Sequence, residues 1–375
     1  MEKVQALALT FDDVLLLPGY AGFLRSQISL ETKLTKKIKL KVPLVSSPMD
    51  TVTEYKLAIE LARQGGLGFL HRNLTIDQQA KQVGLVKKQK LMVGAAIGSS
   101  AGYEKRVKAL VSSGVDVLLV DSAHGNSRQV IKTVQAIKNK YKIDVIAGNV
   151  ATAEGARALI KAGADGLRVG MGPGAICSTR IVSGMGMPQL TAVIETAKIA
   201  QRSNVPVIAD GGINYSGDIT KALAAGASSV MIGRLFAATI ESSGKAVVLK
   251  RVQVPKRFKK LLNGAKSYRF KQYRGMGSLG AMNKGISVSS EDEFHGKSYT
   301  DNLLIAEGVE ALVPVSGKLE ALVAQLMGGL KSGMYYTGKK TIEELWNAQF
   351  VRITQASLTE SHPHDLFVTN AGGNY

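Results

Sequence analysis

Eight short, apolar, β-rich segments recur between residues 42 and 232, and each is followed by turn residues and then by a helical pattern. They span 42–47, 67–70, 92–96, 117–120, 144–147, 167–169, 206–209 and 229–232, with amphipathic stretches such as 55–64, 103–113, 127–140, 153–162, 189–202 and 216–225 between them. Strands that alternate with helices pair in parallel, because each crossover helix carries the chain back to the end where the previous strand began. Eight such units close the sheet on itself, so the expected fold is α/β, a (β/α)8 TIM barrel. At 375 residues the chain is long enough for one large core, and its 40 glycines suit repeated tight strand-to-helix turns.

A barrel of this kind gathers functional groups on the loops after the C-terminal ends of its strands. Polar residues recur at those places. Asp50 follows the first segment and Arg72 the second; Asp121, Ser122 and His124 follow the fourth, and Asn149 the fifth. Asp210, Gly211 and Gly212 follow the seventh, and Gly233 and Arg234 the eighth. Taken singly, each is also a plausible helix cap or turn residue, Ser122 and Asp218 in particular. The loop after the sixth segment is the richest: in GLRVGMGPGAICSTR, residues 166–180, three glycines and a proline lead to Cys177, the only cysteine. A lone thiol on such a loop is a candidate nucleophile, whereas most free cysteines are small buried hydrophobes. The glycines after segments seven and eight fit a phosphate site built from backbone N–H groups.

The net charge is +19, from 48 Lys and Arg against 29 Asp and Glu, which favours anionic ligands such as nucleotides, phosphates or nucleic acid. One cysteine rules out an intramolecular disulfide and agrees with a reducing compartment. No signal-peptide pattern opens the chain, and no apolar run approaches the roughly 20 residues of a membrane helix. A soluble cytoplasmic protein is expected. From 250 to 274 there are ten Lys or Arg and no acid, then a glycine-rich turn and an acidic stretch to Asp301. The readings open at 250–305 are a basic insertion with a mobile flap, a disordered surface loop over 250–272, and, for the basic run with Phe258, Tyr268 and Phe270, a solvated surface stretch ahead of a nucleic-acid contact. In the tail, His362-Pro363-His364 beside carboxylates is a weak transition-metal signal.

Over nearly its whole length the chain resembles the IMP dehydrogenase and GMP reductase family. The matching motifs are LTFDD at 9–13, SSPMDTVTE at 46–54, DSAHG at 121–125, AGNV at 147–150, the loop 170–180, ADGGI at 209–213, YRGMGSLGAM at 273–282 and ESHPHD at 360–365. The resemblance implies a single barrel domain over 1–375 that binds IMP and XMP, or GMP, and uses NAD, or NADP. It implies that Cys177 attacks C2 of the purine, with Thr179 and Glu307 as a proton relay. Ser47, Met49, Arg168, Asp210, Gly212, Gly233, Arg234, Tyr273, Met276 and Gly277 would bind the nucleotide. Asp121, Ser122 and Asn149 would lie at the nicotinamide. Gly170, Gly172 and Cys177, with Glu360, Ser361 and His362 of a neighbouring subunit, resemble the family's K+ site, and a homotetramer is implied.

Three departures qualify this. The regulatory CBS module usual in the dehydrogenases is missing, since 79–90 leads straight to Met92. Ala175 stands where a phosphate-loop serine is usual, and Arg234 is a candidate substitute. The flap Arg-Tyr pair that activates water in the dehydrogenases is replaced by Asp292-Glu293, which points toward a reductase. The reductase marks are absent too: Met276-Gly277-Ser278, Leu304, Ala306 and the Ser332–Tyr336 stretch all differ from them. The expected activity is therefore that of an IMP dehydrogenase with slow hydrolysis of its covalent intermediate. GMP reductase chemistry is the alternative, and a non-catalytic nucleotide- or nucleic-acid-binding relative is the second.

Overall fold

A computed structural model describes residues 3–4, 7–262, 264–288 and 304–366. The N-terminal segment is built into the barrel from both ends. Phe11 is buried in a short 3-10 turn capped by Thr10 and Asp13, and β1 (Val14–Leu16) pairs with a strand near the C-terminus. The hairpin β2 (Thr32–Lys33) and β3 (Lys39–Leu40) brings Leu34 and Leu40 into contact with the barrel's interior side chains.

The eight expected strands form a closed parallel barrel. They are β4 (Leu44–Ser46), β5 (Leu67–Leu70), β6 (Gly94–Ile97), β7 (Val117–Asp121), β8 (Asp144–Val150), β9 (Gly166–Val169), β10 (Val207–Asp210) and β11 (Ser229–Ile232). Nearly every strand residue is buried, as it must be when one face fills the barrel and the other meets helices. Val45, Phe69, Leu119, Ile146, Ile208 and Met231 alternate inward into one cluster. Their neighbours, Leu44, Leu70, Val120, Ala147, Ala209 and Ile232, pack outward against the helices. This period-two alternation puts Arg168, between outward-facing Leu167 and Val169, on the inner face of β9. The fifth strand is longer than its apolar run: β8 continues through Asn149 to Val150, with a register shift at Gly148–Val150. Asn149 therefore lies in a strand and not in the loop after it.

The stretch 250–272, for which a disordered loop was one reading, is anchored by strands at both ends, with a 3-10 helix (Lys256–Leu262) between them. β12 (Ala246–Lys250), β13 (Ser267–Arg274) and β14 (Glu310–Pro314) form an antiparallel sheet. A small core of Val254, Leu262 and Phe270, with Leu249, Phe258 and Tyr268 against it, lies under the excursion. The apolar residues scattered among the lysines are what order it. β13 runs back to the barrel and delivers Tyr273 and Arg274 to its C-terminal end. The last strand, β15 (Phe350–Arg352), pairs with β1. Asp292 and Glu293 lie outside the described residues. Among the described residues, no helix is long and apolar enough to cross a membrane.

Candidate active site

Four neighbouring strands, β7 to β10, carry a polar residue at or one position before their C-terminal ends, Asp121, Asn149, Arg168 and Asp210, and these residues are joined. Arg168 of β9 reaches both ways: its Nη1 contacts Asp121 Oδ1 closely, and its Nε donates to Asp210 Oδ2 at 2.9 Å. Asn149 Nδ2 also donates to Asp210 Oδ2, at 2.9 Å, and to the Gly170 carbonyl at 2.9 Å. Burial opposes the Arg168 charge, but the carboxylates of Asp210 and Asp121 outweigh it and hold the guanidinium above its ordinary pKa. Asp210 is thus fixed by two donors and keeps a partly exposed face toward solvent.

The cysteine loop is seated on this network. Gly170 has φ +150°, and a Cβ there would lie 2.2 Å from the Asp210 carbonyl, so no side chain fits. Gln189, at the start of the helix Gln189–Arg202, donates from Nε2 to Val169 O at 2.9 Å and to Asp210 O at 3.1 Å. Cys177 at the loop's end is exposed, so the small buried hydrophobe is ruled out for this thiol. Its Sγ lies 3.1 Å from Thr179 Oγ1, with the thiol as donor.

Residues 307–309 join the cysteine loop to the glycine-rich turn after β13. Ser178 N donates to Glu307 O at 2.9 Å, and Glu307 N donates to Gly277 O at 3.0 Å. Val309 N donates to Ile176 O, and Gly275 N donates to Val309 O, both at 3.0 Å. The two backbones approach so closely that a Cβ on Gly275 would sit 3.1 Å from the Gly308 Cα. Thr179 and Glu307, 128 positions apart in sequence, are thereby brought to one rim.

At the other end, Tyr273 is buried with its hydroxyl 3.0 Å from where a Gly233 Cβ would be. Burial, and secondarily the charges of Asp210 and Cys177, push the phenol well above its usual pKa, although Arg234 opposes them. The hydroxyl is therefore a neutral donor. Arg234 Nη2 donates to Asn214 Oδ1 at 3.0 Å. Behind Tyr273, Arg274 is locked to buried Asp50: Nε to Oδ1 at 3.1 Å and Nη2 to Oδ2 at 2.5 Å, with Asn73 Nδ2 to Oδ2 at 3.1 Å. Burial raises the Asp50 pKa, but the Arg274 hydrogen bonds, the His71 and Arg274 charges and Asn73 together hold it below the ordinary carboxyl value.

Every residue expected on the catalytic, nucleotide and nicotinamide sides lines one cavity of about 380 Å³, together with Gly170 and Gly172. Glu360, Ser361 and His362 do not line it. Glu360 ends the helix Gln355–Glu360 and Ser361 and His362 follow it, with the His362 ring 5.9 Å from that of Tyr215. No cluster of three or more metal-ligating His, Cys, Asp or Glu occurs among the described residues, which counts against a transition-metal tail. The turn alternative holds for Asp218, which accepts the Asn214 and Tyr215 N–H groups at 2.9 Å. Ser122 does both: its Oγ accepts His124 N at 3.1 Å, and it lines the cavity. Sequence reasoning passed over Gln189, Asn214, Asn73 and the Asp50–Arg274 pair. A glutamine opening the first long helix after the cysteine loop was the available signal for the first.

Residues 8–364 match the family described as the IMP dehydrogenase / GMP reductase domain. The chain belongs to this family. Similar proteins include the inosine-5'-monophosphate dehydrogenase of Cryptosporidium parvum, 44% identical over 98% of this chain and 97% of the relative. That of Borreliella burgdorferi is 42% identical over 97% and 98% of the two chains. That of Chlorobaculum tepidum is 39% identical over 100% and 99%, but its alignment runs to 507 positions against 375 residues here, so it contains stretches without a counterpart in this chain. In this member of the IMP dehydrogenase / GMP reductase family, the cysteine loop, Asp210, Gly212, Gly233, Arg234 and Tyr273 line one cavity.

Proposed function

We propose that the protein oxidises IMP to XMP with NAD+ and water, a step of guanine nucleotide synthesis. The carrying observation is one cavity with the Cys177 thiol beside Thr179 at its rim, Asp210 fixed on its floor, and Tyr273, Arg234, Gly212 and Gly233 at its far end. The thiolate adds to C2 of IMP, and C2 passes a hydride to the nicotinamide, giving NADH and a thioimidate on Cys177. Water then adds to C2 and the thiolate leaves, releasing XMP. Asp210 holds the ribose hydroxyls. Tyr273, Arg234 and the backbone N–H groups of Gly212 and Gly233 hold the phosphate, so that Arg234 supplies charge where Ala175 leaves no hydroxyl. Ser47, Met49, Met276 and Gly277 pack around the base. Asp121, Ser122 and Asn149 face the nicotinamide, and Arg168 orients both Asp121 and Asp210. Thr179 and Glu307 serve water activation in place of the missing Arg-Tyr pair. The relatives named as dehydrogenases weigh against the reductase alternative.

A K+ ion fits the loop's share of the donors. The carbonyl oxygens of Gly170, Gly172 and Cys177 are hard ligands, and positive φ at both glycines takes the backbone out of a strand's regular alternation. Such an ion would hold the cysteine loop in one conformation. Glu360, Ser361 and His362 would complete the shell from a neighbouring subunit, in a cytoplasmic homotetramer. Regulation through a CBS module is not expected, because the helix Ile76–Lys87 is followed by β6 after six residues.

The test is absorbance at 340 nm in potassium buffer, with IMP and NAD+ in one cuvette and GMP and NADPH in the other. Sustained NADH formation is expected, with a burst if hydrolysis limits, and Cys177→Ala should abolish both phases. NADPH loss with GMP would make the protein a reductase. Turnover retained by Cys177→Ala would reject the covalent route.

A further inference from the structure

Beyond the barrel, the sheet β12–β13–β14 and the turn it encloses carry charge of one sign. No Asp or Glu occurs from residue 242 to residue 290. Lys250, Arg251, Lys256, Arg257, Lys259 and Arg269 are all exposed, and none pairs with an acid among the described residues. None of them lines the nucleotide cavity. They are not displayed on a slack loop: the five-residue β12–β13 ladder and the Val254, Leu262 and Phe270 core hold the segment.

We propose that this excursion is a contact surface for the phosphate backbone of nucleic acid, independent of the purine chemistry. The physical case separates it from other anionic partners. Membrane binding needs apolar area beside the cations. Among the described residues from 246 to 274 the exposed large apolar side chains are two valines, Val248 at 63% and Val252 at 88%, beside those six exposed cations, while Leu262 and Phe270 are buried and Phe258 and Tyr268 pack against them, so the apolar area is small for the charge. Protein interfaces are depleted of lysine at their centres, whereas backbone binding to nucleic acid draws its affinity from same-sign charge alone. The aromatic rings are engaged with one another, Phe258–Phe270 at 6.0 Å and Tyr268–Phe270 at 5.8 Å. They do not offer the stacking platforms that single-strand binders use. The surface therefore binds duplex at least as well as single strands and does not read sequence.

Fluorescence anisotropy with a labelled random-sequence duplex tests this on the full chain. With about six phosphate contacts, log affinity should fall against log salt with a slope of about −5. The variant K250Q/R251Q/K256Q/K259Q should bind more than tenfold more weakly and lose about 3 to 4 of that slope. Its purine turnover, measured on the same preparation, should be unchanged, which also establishes folding. Any of three results would overturn the proposal: no duplex binding at about 50 mM salt, equal binding by the variant, or binding to phosphatidylserine vesicles with none to duplex.

Discussion

Arg168 shows how much one side chain decides. It is the cation between Asp121 and Asp210, with its own side chain 11% exposed. Removing it leaves two carboxylates near one another with their shared counter-charge gone. Breaking a buried pair from one side costs about 3–5 kcal/mol, because the remaining charge keeps its desolvation penalty. Arg168→Met should therefore lower the free energy of urea unfolding by about 3 kcal/mol, and turnover should fall more than tenfold as Asp210 loses its orientation. An unchanged urea midpoint would mean that water already screens the pair. The family resemblance marked Arg168 as a nucleotide-side residue but gave no sign that it stands between two acids. Its importance comes from facing inward at the level where β7 and β10 also end in acids.

At the scale of elements, the root of β13 is tied to the barrel by Asp50. Its folded pKa lies below the unfolded value, so it contributes stability at all pH above the unfolded carboxyl value, roughly 3.9. That contribution is lost as pH falls from there through the folded value. Asp50→Asn should thus be less stable than the parent at pH 7 by about 3 kcal/mol, and the gap should close below about pH 4. Urea midpoints from pH 7 to pH 3 check this; a gap that stays constant would assign the loss to geometry and not to charge. The element-level errors of sequence reasoning have a common cause. The lysines of 250–272 hid an ordered sheet, because the apolar residues that order it lie far apart in sequence and meet only when β12 and β13 pair. In β8, the strand runs past its apolar segment through Asn149, because its pairing with β9 resumes at Val150 and Asn149 N donates to Ser122 O, just beyond the end of β7, at 2.7 Å.

For the whole molecule, the proposed cation site would be completed by a neighbouring subunit, and Glu360, Ser361 and His362 do not line the cavity that holds the chain's own cysteine loop. Light scattering after gel filtration should give about four chains per particle, and activity should fall when K+ is replaced by Na+. Glu360→Ala should lose that preference while keeping the parent circular dichroism spectrum. A monomer with full K+-dependent turnover would reject the shared site.

The sequence by itself determined the barrel, its strand count and the end at which function gathers. Those follow from local signals, an apolar period and turn residues repeated eight times, that each segment carries without help from distant ones. The family motifs further marked which residues would meet. What only the tertiary structure decided is how they are held: Arg168 between two acids, Gln189 under the cysteine loop, Arg274 on Asp50, and residues 307–309 joining that loop to the turn after β13. These contacts link positions tens to hundreds of residues apart, and their distances depend on barrel closure and register, to which no local stretch of sequence is sensitive.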